Sequence, residues 1–119
     1  CLVYFYNQSR ADSLIQARRF RDNYGSFRKL DLQLIGISYA SVPSQHEFAE
    51  QLHLSHPLLS DPEGDVIEAY AAHTSMNHMA RNMSYLVDDH GLIKKVYLDL
   101  EPEEQIRMVA RDLHRFKPL

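Results

Sequence analysis

The chain opens on an unbroken apolar run. Residues 1 to 6, CLVYFY, show no alternation, which is the pattern of a strand buried on both faces. A polar loop, NQSRAD, follows at residues 7 to 12, and then the period changes. Leu14, Ala17, Phe20, Tyr24, Phe27 and Leu30 recur every three or four residues, which predicts one face of a helix. Ser13 with Gln16 fits a capping box and makes Ser13 the expected N-cap. Leu32 to Ser38, LQLIGIS, reads as a second strand, and Ser41 to Ser44 as a turn around Pro43. Ser44 and Glu47 make another capping box, opening a helix through Leu52 with Phe48, Ala49 and Leu52 inward.

Pro57 to Ser60 fits a short edge strand, where a starting proline is tolerated. Asp61-Pro62-Glu63-Gly64 is a turn signature. Asp65 to Ala72 predicts a short helix with Val66, Ile67 and Tyr70 inward, while residues 73 to 83 carry no clear period. Ser84 to Val87 and Ile93 to Leu98 then form a hairpin around Asp88-Asp89-His90-Gly91. Pro102 opens the last helix at its first position, with Ile106, Val109, Ala110 and Leu113 as the buried stripe. Glu103 and Glu104 at its start, and Arg111 and Arg115 near its end, complement the helix dipole. The order β-α-β-α-β-α-β-β-α predicts an α/β fold. Parallel strands come first, with helices on both faces, and an antiparallel hairpin closes the sheet, the plan of a thioredoxin-like fold.

Composition narrows this picture. A chain of 119 residues makes one domain, residues 1 to 119, without internal repeat or linker. An apolar share of 45% is enough to build a core, so disorder is disfavoured. The net charge of −3 argues against a nucleic-acid or anionic-membrane partner, and no window is apolar enough to span a membrane. No signal peptide is visible, and a cytoplasmic protein is expected. The lone cysteine, Cys1, excludes an internal disulfide, a CxxC pair and a cysteine-rich zinc site. Cys1 leads straight into LVYFY with no polar leader, which predicts a chain processed or cut from a longer one.

The chemistry-bearing side chains give few patterns. Seven histidines are present: His46, His53, His56, His73, His78, His90 and His114. No pair has helical i,i+4 spacing, so solvent-exposed polar residues are expected rather than a metal site, and no cofactor is implied. Met76, Met79 and Met83 read as packing residues rather than a cofactor box. Asp61, Glu63 and Asp65 read as turn and cap chemistry rather than a cation site.

Several segments together resemble one family. LVYFY at 2–6, FRDNYGSFRKL at 20–30, LIGISYAS at 34–41, PLLSDPEG at 57–64 and SYLVDDHGLIKKVY at 84–97 are similar, in order and spacing, to peroxiredoxins of the AhpC/TSA type. The resemblance is specifically to the bacterioferritin-comigratory-protein, or PrxQ, branch. The resemblance implies a thioredoxin fold that here lacks the family's N-terminal hairpin. It also implies a pocket between YFY and FRDNY, where the family carries Thr-Pro-x-Cys with the peroxidatic cysteine opening the first helix. By that resemblance Ser13 falls on the peroxidatic position and Arg18 on the resolving one. Arg10 replaces the threonine, Gln16 stands where a Glu is common, and the family's second Arg falls on Asn82, with Arg81 beside it.

Those replacements decide the expected function. Peroxide reduction needs a thiolate that becomes a sulfenic acid, and serine has no such chemistry near neutral pH. The expectation is a peroxiredoxin-like domain without peroxidase activity, acting as a binding, regulatory or assembly module. Its partner would be another peroxiredoxin-like subunit or a protein, and its own state monomer or homodimer. Two alternatives stand beside this reading. Cys1, read as a core or strand-end residue, could instead be a redox thiol working with a partner thiol. Ser13, read as a helix cap, could instead mark a small-anion site at the helix tip with Arg10 and Arg18 or Arg81.

Overall fold

The computed structural model describes residues 1–7, 10–70, 72 and 82–116. Its nine elements follow the expected order. They are β1 (Leu2–Phe5), α1 (Ala11–Lys29), β2 (Leu34–Ser38), α2 (Val42–Leu52), β3 (Leu58–Ser60), α3 (Asp65–Ala69), β4 (Met83–Val87), β5 (Ile93–Leu98) and α4 (Pro102–Phe116). The five strands form one mixed sheet in the order β3-β2-β1-β4-β5. β1 lies at its centre, parallel to β2 and antiparallel to β4, and β4 and β5 form the antiparallel hairpin. β3 and β5 are the two edges.

The unbroken apolar run becomes this central strand because both of its faces are covered. Leu2, Tyr4 and Tyr6 point to one side, where Ala17, Phe20 and Phe27 of α1, Phe48 and Leu52 of α2, and Val109 and Leu113 of α4 pack on them. Val3 and Phe5 point to the other, against Ile37, Ile67 of α3, Met83 and Tyr85. Helices therefore sit on both faces, three against one, as the alternation implied. Full burial of a ring such as Phe20 contributes roughly 2–3 kcal/mol, so this two-sided layering is the main stabilising feature of the fold.

The helix starts lie upstream of the expected ones. Arg10, in extended conformation, is the N-cap of α1, and Ser13 is the third helical residue. The chain turns tightly enough, Arg10 N–H donating to the Asn7 carbonyl at 2.9 Å, that the helix begins before the serine. Likewise Ser41 rather than Ser44 caps α2, its hydroxyl accepting from the Ser44 amide at 3.3 Å, and Pro43 sits inside the first turn, where its missing N–H costs nothing. Val66 is exposed, because the five residues of α3 present only Ile67 fully to the sheet. Asp61, Gly64 and the following turn behave as expected: the Asp61 carboxylate accepts the Ile67 amide at 2.8 Å, and Gly64 takes a positive φ of 77°. Met83 packs in β4, whereas His73, Met76, His78, Met79 and Arg81 lie outside the described residues.

One close approach fixes the register of β1 on β2. Gly36 lies under the Tyr4 ring, and a β-carbon there would stand 2.7 Å from Tyr4 Cζ and 2.8 Å from Leu58 Cδ2. Both neighbours are confined, so Gly36→Ala is expected to destabilise the fold by about 1–3 kcal/mol, measured as a lower urea midpoint with an unchanged slope. An unchanged midpoint would show that the Tyr4 ring can move aside.

Candidate functional site

In an open α/β sheet, ligands and reactive groups collect beyond the carboxyl ends of the parallel strands. Here that end gathers Tyr6 and Asn7 after β1, Ser38 at the end of β2, the first turn of α1 and Asn82 just before β4. Ser13 is buried at 6% exposure, and its Oγ accepts a hydrogen bond from the Asn7 amide at 3.2 Å. The hydroxyl thus ties Asn7, just beyond β1, back onto α1.

Gln16, one turn further on, is not a capping partner. It is 2% exposed, and its Nε2 donates to Asn82 Oδ1 at 3.0 Å and to Gln105 Oε1 at 2.7 Å. Gln105 in turn donates to the Ser84 hydroxyl, and Asn82 Nδ2 to the Leu100 carbonyl at 3.4 Å. Four uncharged side chains from α1, β4 and α4 therefore form one buried network below the helix tip. The structure brings Ser13, Gln16 and Asn82 to the same end, and adds Gln105 and Ser84, which the sequence reading missed. A signal for Gln105 was present: it lies on the Val109–Leu113 stripe of α4, where a polar residue must find a buried partner.

Arg10 and Arg18, the described cations of the expected site, are not gathered. Arg10 turns its guanidinium to Asp12 at 2.9 Å, on the exposed side of the first turn. Arg18 is exposed further along α1, and Asp12 already occupies the region where the helix dipole favours an anion. Cys1 lies at the opposite end of β1. Six residue steps of about 3.3 Å each set it roughly 20 Å from Asn7. There it is half-buried beside a cavity of about 490 Å³ lined also by Leu86, Val87, Asp88 and His90. Among the described residues no group of three or more His, Cys, Asp or Glu side chains is placed to hold a metal ion.

The histidines mostly follow expectation. His46, His53, His90 and His114 are exposed, and His46 approaches Glu50 at 3.4 Å. His56 is a correction, because it is buried at 3% exposure against the hydroxyl of Tyr4. Burial pushes its pKa down to about 4. Gln45 is a second buried polar anchor. Its Nε2 lies within bonding distance of the Tyr6 hydroxyl (3.1 Å), Ser38 Oγ (3.0 Å) and the Leu59 carbonyl (2.7 Å). The Tyr6 hydroxyl pKa is raised, burial outweighing the bonds from Ser38 and Gln45.

A mixed five-stranded sheet, with a long helix whose first turn follows the central strand, defines a thioredoxin-like α/β protein. The AhpC/TSA family profile matches residues 1–96, and the chain belongs to that family. A putative peroxiredoxin of Mycobacterium tuberculosis is 29% identical over 119 residues, spanning 94% of this chain and 76% of the relative. Chloroplastic peroxiredoxin Q of Oryza sativa subsp. japonica is 30% identical over 108 residues, 88% of this chain but only 50% of the relative. Among solved structures, the peroxidoxin BcpB of M. tuberculosis superposes with a TM-score of 0.91 at 20% identity, over 98% of this chain and 79% of that one. Peroxiredoxin Q of Xanthomonas campestris does so with a TM-score of 0.88 at 18% identity, over 97% and 77%. At those identities the superpositions establish the fold.

The amide network makes a quantitative prediction. Gln105→Leu removes the acceptor of Gln16 and the donor to Ser84, and is expected to cost about 1–3 kcal/mol in chemical denaturation. Gln16→Leu combined with it should cost clearly less than the sum of the two single changes, since both break the same bond. Additive losses would mean that the two glutamines act independently.

Proposed function

We propose that this chain is a peroxiredoxin-fold module without peroxidase chemistry, working through binding or assembly. The observation that carries this reading is Ser13, a hydroxyl in the first turn of α1, where the family resemblance sets the peroxidatic thiol. In the family's reaction a thiolate sulfur attacks one peroxide oxygen, the O–O bond breaks, and water or an alcohol leaves as sulfenic acid forms. Serine oxygen offers neither the anion near neutral pH nor an equivalent oxidised state. The surroundings support the same reading: Gln16 and Asn82 form a neutral pair, and Arg10 is engaged by Asp12. The chain's one cysteine lies at the other end of β1, roughly 20 Å from Asn7.

The assembly half rests on β5. This edge strand and the residue before it carry Leu92, Ile93, Val96 and Leu98, each 43–57% exposed. Val96 and Leu98 stand opposite Tyr85 and Met83, so they extend the apolar face beneath α3 past its cover. An exposed apolar edge with free backbone groups suits pairing with another strand. The partner we propose is a second peroxiredoxin-like subunit, in the simplest case a second copy.

Two measurements test the proposal. Hydrogen peroxide and an organic hydroperoxide, supplied with a thiol reductant, should be consumed no faster than in the reductant blank, and Cys1→Ser should behave identically. Turnover that disappears in Cys1→Ser would instead put the chemistry on that thiol. By sedimentation, the chain should self-associate, and Val96→Glu should shift it to monomer. A wild-type chain that sediments as a monomer at every concentration would sink the second-copy partner.

A further inference from the structure

His56 is the one buried side-chain polar group among the described residues whose atom, Nδ1, lacks a hydrogen-bond partner. It stands in the short connection between His53, which ends α2 with a left-handed φ of 54°, and edge strand β3. Its Nε2 lies 2.7 Å from the Tyr4 hydroxyl. Its ring meets Tyr4 and Tyr24 edge-on, with centroids 5.6 and 5.8 Å away. Tyr4 in turn is held against Gly36, so the imidazole docks this connection onto the centre of the sheet. We propose that His56 is an acid-sensitive latch, which in its neutral form holds the 53–60 connection and β3 on the sheet and on protonation releases them.

The argument is one of hydrogen bonds and charge. A neutral imidazole needs one donor and one acceptor role, and Tyr4 serves its Nε2. An imidazolium carries two N–H donors: Nδ1–H is buried without an acceptor, Nε2 can no longer accept from Tyr4, and the added charge is buried without a counter-ion. The surroundings offer no compensating charge. From β1 the imidazole faces Tyr4, whose own hydroxyl pKa is pushed well up by burial. From α1 it faces Tyr24, with the Arg28 guanidinium 5.9 Å over that ring, and Arg21 donates to the Leu52 carbonyl at 2.8 Å. α2 contributes exposed His53, while β2 and β3 contribute Gly36, Pro57 and Leu58, which carry no charge. Asp31 lines the cavity beyond Tyr24 but makes no hydrogen bond to the imidazole. The hydrogen bond the imidazole makes is to an uncharged hydroxyl, so nothing there offsets the cost of burying an imidazolium.

Release is cheap in structure, since β3 has three residues and holds the sheet through few bonds. These include Gly36 N–H to the Pro57 carbonyl at 3.1 Å and Gln45 Nε2 to the Leu59 carbonyl at 2.7 Å. The folded pKa of about 4 lies below the ordinary value of 6.5, so the latch holds fully above pH 6.5 and weakens as the pH falls from there towards 4.

Amide hydrogen exchange by NMR, corrected for intrinsic rates, reads the opening directly. Between pH 7 and pH 5 the opening equilibrium at the Gly36 amide should rise about twentyfold. The Tyr85 amide, inside the sheet on β4, should stay slower and not share that rise. His56→Phe keeps a ring at the site and should abolish the pH dependence. An equal rise in that variant, or at Tyr85, or no rise at Gly36, would overturn the latch. Should the variant not fold, the imidazole carbon resonances of wild-type His56 decide the matter. A midpoint about two units below that of an exposed histidine supports the proposal, and an ordinary midpoint overturns it.

Discussion

Two tyrosine hydroxyls on the central strand set conditions that the rest of the structure meets. β1 must be apolar on both faces, yet Tyr4 and Tyr6 carry two polar atoms into the layer on one side, and a buried hydroxyl needs a partner. Tyr4 finds His56, and its ring requires that β2 carry no side chain at Gly36. Tyr6 finds Gln45, which also takes in Ser38 and the Leu59 carbonyl. Through these contacts α2, β2 and β3 are positioned relative to β1. Tyr6 also stacks on Phe48, so the apolar and polar parts of the same ring point α2 to the same place. On the far side of the sheet Val3 and Phe5 make no such demand, and the single short helix α3 suffices there.

The helix tip obeys a different constraint. Its polar groups are satisfied internally, by Asn7 on Ser13, by Asp12 on Arg10, and by the amide network from Gln16 to Leu100. A site built to activate a nucleophile holds charge and leaves a donor or acceptor poised for a substrate. Among the described residues this one holds neutral amides, paired with one another between α1, α4 and the start of β4. That arrangement anchors the tip of α1 to α4 and to the start of β4, and it supports the binding role proposed above.

Much of the fold was legible in the sequence because periodicity reports burial. The unbroken run at β1, the stripe of α4 and the Asp88–Gly91 turn each depend on neighbours a few residues apart, and each was placed correctly. The caps were misplaced because Ser13 and Ser44 both sit three residues inside their helices. A serine at that position looks like an N-cap when only the next turn is read. His56, Gln45 and Gln105 were hidden for another reason. Their partners are 52, 39 and 89 residues away, and nothing local marks a polar residue as buried except its place on an apolar stripe. The candidate site was legible in its members Ser13, Gln16 and Asn82. Their connection was not, since it runs through α4.

The direction of the amides in that network also bears on how this chain can change over generations. Gln16 gives both protons of Nε2, one to Asn82 and one to Gln105. A glutamate at 16 would face two oxygens and have nothing to offer either. It could be accepted only if both neighbouring amides turned over together, and Asn82 would then lose its donation to Leu100. A carboxylate at position 16 therefore costs the network a hydrogen bond whichever way the neighbouring amides point. The network thus couples three positions, so that a change at Gln16 is best tolerated when Asn82 or Gln105 changes with it.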